Sequence, residues 1–121
     1  MKNFLIGILL LVLILSVPVH ADLNVSLPSV WQYSHISTLT TTTPKSATGT
    51  LHSIVVNASG SVPCFVIVYD STSATGNQIA AVDCAGKGQL TYDVSFTAGL
   101  TIVTTSTATP ASAPDVTAIY Q

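Results

Sequence analysis

From residue 30 onward the chain is a succession of short runs rich in Val, Ile, Thr and Tyr, cut at near-regular intervals by Gly, Pro, Asn and Ser. β-branched and aromatic side chains suit a pleated, half-buried surface, and the cutting residues are those that turns require. Helix signals are poor after Ala21. The spacing predicts strands over residues 30–39, 49–57, 64–70, 78–83, 89–96, 100–105 and 116–120. Residues 40–43 and then Pro44-Lys45-Ser46 read as a connector, and 107–114, with two prolines, as a loop. Strands with one apolar face are stable only when that face is covered by a second sheet. The expected fold is therefore all-β: an antiparallel sandwich of about seven strands, jelly-roll or Ig-like.

Alternation along the runs assigns faces. In 49–57, Leu51, Ser53 and Val55 share one face, and His52, Ile54 and Val56 the other. In 89–96, Leu90, Tyr92 and Val94 face one way. The run 64–70 is apolar on both faces and should be central and buried. The expected core is Leu51, Val55, Val66, Val68, Ile79, Val82, Leu90, Tyr92, Val94, Leu100, Ile102, Val116 and Ile119.

The first twenty-one residues are of another kind. Lys2 precedes an almost unbroken apolar run over 4–17, followed by Pro18-Val19-His20-Ala21. A basic start, an apolar stretch and small residues at −3 and −1 mark an export signal cleaved after Ala21. The run is short of the roughly 20 residues a spanning helix needs, so a membrane would be met only through an uncleaved leader. The organisation expected is a signal peptide over 1–21, an arm and first strand over 22–47, and a sandwich body over 48–121 forming one domain with the arm. The destination is exported, to periplasm or extracellular space, or a virion. In an oxidising compartment Cys64 and Cys84 should pair, closing a loop of about twenty residues.

Charge excludes one class of function. The 121 residues contain no Arg and no Glu, five Asp and three Lys. Nucleic-acid binding needs several cations to neutralise phosphates, and only Lys45 and Lys87 remain after the leader.

Candidates for chemistry are few. The histidines after the leader are His35 and His52. A Ser/His/Asp set is arithmetically possible, but no G-x-S-x-G turn is present. His52 reads as a strand histidine facing solvent or satisfied by a neighbour. Asp70 and Asp83 end strands, where Asp bonds nearby backbone, and Asp93 lies on the polar face of its strand. A calcium loop from Asp70, Ser71, Ser73 and Asn77 would offer one carboxylate where several are wanted. No catalytic residue, metal or cofactor is expected. Asn24-Val25-Ser26 and Asn57-Ala58-Ser59 match the glycosylation sequon. Trp31, Tyr33 and His35 alternate on one strand and so share a face. Such a stripe ordinarily covers the core; alternatively it stacks on sugars or packs a subunit interface.

Several stretches follow one another along the chain: Gly49-Thr50-Leu51-His52-Ser53-Ile54-Val55-Val56-Asn57, then Val68-Tyr69-Asp70-Ser71-Thr72-Ser73-Ala74-Thr75-Gly76, then Leu90-Thr91-Tyr92-Asp93-Val94-Ser95-Phe96. Gly99-Leu100-Thr101-Ile102-Val103-Thr104-Thr105 and Asp115-Val116-Thr117-Ala118-Ile119-Tyr120 follow. From Thr48 to Tyr120 this resembles a group of small β-rich proteins encoded by tailed phages. The resemblance implies a non-enzymatic, virion-associated role, such as capsid decoration or a head or tail accessory. The partners would then be protein subunits, either further copies of the chain or capsid and tail proteins. The export signal and cysteine pair support a second expectation, an envelope or secreted binding module recognising surface glycans or a protein.

Overall fold

The computed structural model describes residues 29–121. The expected signal peptide and its cleavage point, residues 22–28 of the expected arm, and the sequon at Asn24 lie outside the described residues. The β-branched runs form eight strands: β1 (Gln32–Ile36), β2 (Thr41–Lys45), β3 (Gly49–Ala58), β4 (Cys64–Asp70), β5 (Asn77–Asp83), β6 (Gly88–Phe96), β7 (Leu100–Ser106) and β8 (Asp115–Tyr120).

The additional strand is β2, in the stretch expected to be a connector. Pro44 cannot donate to a ladder, which argues against a central strand. Here β2 is an edge strand with β7 as its one partner among the described strands, and its register shifts between Thr42 and Lys45, around the proline. The first strand stops at Ile36 because the chain crosses to the other sheet at residues 37–40. Thr104, buried in β7, holds that crossing: its hydroxyl donates to the Thr38 carbonyl at 2.5 Å and accepts the Thr40 N–H at 3.0 Å.

The strands form two four-stranded antiparallel sheets, in the orders β1-β8-β3-β6 and β2-β7-β4-β5. Only the β4–β5 hairpin stays within one sheet; the other connections cross between the two. This order is that of an eight-stranded jelly roll, which decides between the two sandwich types expected.

The interior is formed by Ile36, Leu51, Ile54, Val56, Cys64, Val66, Val68, Val82, Cys84, Phe96, Leu100, Ile102, Val116, Ala118 and Tyr120. Each fully buried large side chain among them contributes roughly 1.5–3 kcal/mol. Several expected core residues stand elsewhere. The register of β3 shifts between Leu51 and Ser53 against both neighbours. The alternation therefore flips, and Ile54 and Val56 are buried while Val55 is only half-buried. Val116 and Ile119 cannot share a face at a spacing of three; Val116, Ala118 and Tyr120 are buried and Ile119 is half-buried. Leu90 pairs with the inward-facing Ile54, yet β6 is an edge and leaves it 44% exposed. Ile79, Tyr92 and Val94 pack against the core without being fully covered. β4 is central as expected and buries Cys64, Val66 and Val68, but its other face leaves Phe65 exposed and Ile67 and Tyr69 half-buried.

Cys64 opens β4 and Cys84 follows β5, at the open end of the hairpin. They stand at disulfide distance, with Cα atoms 5.5 Å apart. The Cys84 N–H donates to the Cys64 carbonyl at 3.3 Å. Replacing both by Ala should lower unfolding free energy by about 3 kcal/mol, the loop-closure contribution of a bridge over this separation. Urea denaturation of the oxidised protein and the double variant measures it; equal midpoints would show that the pair is not bridged.

Candidate functional site

The outer face of the β1-β8-β3-β6 sheet carries most of the chain's side-chain chemistry. Ile36 points inward, so His35 and Tyr33 point outward, as does Trp31 just ahead of the strand. Tyr33 is 75% and Trp31 47% exposed, and His35 is exposed too. The stripe therefore does not cover the core, which overturns its ordinary interpretation. Nor does it act as one set. Trp31 stands against His52 of one histidine–aspartate pair, His35 belongs to another with Asp115, and Tyr33 is in neither.

The first pair involves His35. Its Nε2–H donates to Asp115 Oδ1 at 2.8 Å. Asn57 Nδ2 donates to the same oxygen at 2.8 Å and to Thr117 Oγ1 at 3.0 Å. The register explains the meeting, because β1 and β3 flank β8 and His35 and Val55 both pair with Thr117. Hydrogen bonds from Asn57, and then from His35, hold the Asp115 carboxyl below its usual range. The sequon at Asn57 thus falls on an amide already committed within a strand.

The second pair lies at the irregularity in β3. Opposite His52, β6 carries one residue too many: Leu51 pairs with Val94 but Ser53 with Thr91. Asp93 absorbs the excess with a φ of +49°, in the left-handed region. Asp is among the few non-glycine residues that tolerate that conformation. His52 Nδ1–H donates to Asp93 Oδ1 at 2.5 Å, and the His52 and Trp31 ring centroids are 5.0 Å apart at 44°. His52 is thus satisfied by a neighbour, as expected. Its neighbour in sequence, Ser53, is fully buried with its hydroxyl unpartnered. A histidine oriented by a carboxylate is two-thirds of a Ser/His/Asp set, but among the described residues no hydroxyl bonds to Nε2.

The other acids among the described residues, Asp70 and Asp83, serve the scaffold. Asp83 accepts the Ala85 N–H at 2.8 Å, a local turn. Asp70 bonds backbone far away in sequence. Its carboxylate accepts the N–H groups of Ala98 (2.7 Å), Thr97 (2.8 Å) and Gly99 (3.4 Å), and the Thr97 hydroxyl (3.1 Å). The loop imagined as a calcium site instead bonds hydroxyl to hydroxyl, Ser71 with Ser73 and Ser73 with Thr75. Among the described residues no three His, Cys, Asp or Glu converge to hold a metal. A cleft of about 200 Å³ opens beside the β5–β6 turn, lined by Val56, Val82, Asp83, Lys87 and Leu90 among others, with no histidine on its wall. That is smaller than the ~300–1,000 Å³ of ordinary small-molecule sites.

The partnership of Asp93 with His52 was hidden in the sequence, since strict alternation gave no reason to bring them together. One signal existed: an Asp inside an otherwise clean strand is a residue that strands disfavour, and it marks the irregularity.

Hydrogen bonding by Ala98 foremost, against an opposing effect of burial, holds the Asp70 carboxyl below its reference of 3.8. A depressed carboxylate pKa contributes stability above the unfolded value, and that contribution is lost as pH falls through the folded value. Asp70→Asn should therefore be less stable than the parent at neutral pH. The gap should narrow on acidification below 3.8, as followed by urea midpoints. A gap independent of pH would refute the ionic origin.

No protein-family model and no curated protein matches this sequence.

Proposed function

We propose that the chain is a non-enzymatic structural protein that works through subunit contacts, associated with the particle of a tailed phage. The observation carrying this reading is the outer face of the β2-β7-β4-β5 sheet. There Ala81, Ile67 and Val103 lie in one cross-strand row, flanked by Phe65 in the next row on one side and Tyr69 on the other. Phe65 is 41% exposed, and Asp83 at the margin is the face's one charge along these rows. Exposed apolar surface of this kind favours association, and sparse charge offers little repulsion to oppose it. The resemblance over Thr48 to Tyr120 points the same way. Jelly rolls also build capsid domains, an analogy at the level of the fold alone. Mass spectrometry of purified particles should find the chain at structural copy number, and Phe65→Asp should reduce its incorporation while leaving its thermal midpoint close to the parent's. Particles without the chain would sink the reading.

A second reading, an exported envelope or secreted binding module, is favoured by the solvent-facing Trp31 and Tyr33 and by the cysteine pair, which suits an oxidising compartment. On this reading residues 1–21 are absent from the mature protein. Intact mass of material recovered outside the cytoplasm should begin at Asp22, and a mass that retains the leader would count against cleavage.

A further inference from the structure

We infer that Trp31, His52 and Asp93 form a subsite for the ring of a neutral sugar on the outer face of the β1-β8-β3-β6 sheet. The inference deepens the second reading above and is independent of the first. Three features carry it. Trp31 is the only tryptophan of the chain and is 47% exposed, so part of its indole surface is open. A sugar ring is amphipathic, with a C–H face suited to an aromatic surface and hydroxyls around its rim.

Beside the indole, His52 and Asp93 supply the rim partners. Nδ1–H of His52 is given to Asp93 Oδ1. Among the described residues Nε2 of His52 and Oδ2 of Asp93 have no hydrogen-bond partner, and both side chains are partly open to solvent. Neutral imidazole accepts at Nε2 and a carboxylate oxygen accepts several hydrogen bonds. Two acceptors held by one internal hydrogen bond match two neighbouring hydroxyl donors. Asp93 repels a carboxylate, sulfate or phosphate, so the ligand class is neutral sugar rather than acidic sugar or phosphate ester.

The backbone singles out this place. Both neighbours of β3 shift register at His52, Asp93 takes a left-handed φ, and Ser53 is buried with an unpartnered hydroxyl. Each departure is unfavourable for a plain sheet. Together they place His52 and Asp93 side by side on β3 and β6, with the Trp31 ring reaching His52 from beyond β1. Bulges of this sort re-aim side chains and are common beside functional sites.

The lone tryptophan makes the test direct, because intrinsic emission reports this site and no other. Full-length and mature chain are titrated with free neutral hexoses and N-acetylhexosamines, with glycerol as the control for bulk polyol. A saturable change in emission with at least one sugar, absent with glycerol, is expected. Calorimetry with the same sugar should show Asp93→Asn and Trp31→Ala each weakening binding about tenfold or more. Asn tolerates the same backbone conformation, so Asp93→Asn should keep the parent's thermal midpoint. No saturable response to any sugar in the panel overturns the inference, as does binding that neither substitution weakens. An exported chain without sugar binding removes the site but leaves the second reading standing. Sugar binding by a chain that is not exported does the reverse.

Discussion

The structure depends on the insertion of β8 between β1 and β3. Until that strand is in place, the β1-β8-β3-β6 sheet is two unconnected pieces, because among the described strands β1 pairs only with β8 and β3 otherwise keeps only β6. The pairing joins residues more than eighty positions apart, such as Tyr33 and Ile119. Loop closure on that scale carries an entropic cost that only the completed core offsets. Val116, Ala118 and Tyr120 supply it by pointing inward from one strand. The end of the insertion is tight. Thr50 and Gln121 exchange backbone hydrogen bonds at 3.0 Å, and a Cβ on Gly49 would lie 2.1 Å from the Gln121 carbonyl oxygen. Only glycine lets the backbones approach so closely.

The same insertion assembles the surface chemistry. β8 carries Asp115 and Thr117 between His35 on one side and Asn57 on the other. The irregularity opposite His52 sits where β3 must match β8 and β6 with different residue counts. One sheet face thereby becomes polar and structured, with two histidine–aspartate pairs and an open indole. The face of the other sheet stays apolar and hydroxylated around Ile67 and Val103. The two proposed modes of action, subunit contact and ligand capture, fall on opposite sides of one sandwich and do not compete for surface.

Much of the scaffold's polar inventory is spent on crossings between sheets rather than on chemistry. Thr104 ties the β1–β2 crossing, and Asp70 ties the β6–β7 turn to the end of β4. In a topology where nearly every connection leaves its sheet, turns cannot rely on hairpin hydrogen bonds. Short polar side chains from neighbouring strands must satisfy the backbone instead.

By itself the sequence determined the class of fold, the strand bounds within a residue or two over most of the chain, and the meeting of Cys64 and Cys84. These follow from local facts: β-branched runs, turn residues, and alternation within unbroken strands such as Cys64–Asp70. Tertiary structure decided the rest. Pro44 could sit in a strand only because β2 is an edge, and edge or centre is a property of the sheet. Val55 yielded its core place to Ile54 and Val56 because a register shift reverses every side chain beyond it. Asp93 reached His52, and Asp115 reached His35, across strand pairings that no periodicity encodes. A strand's own residues specify which of them share a face, but the neighbour that the face meets is specified only when the sheet closes.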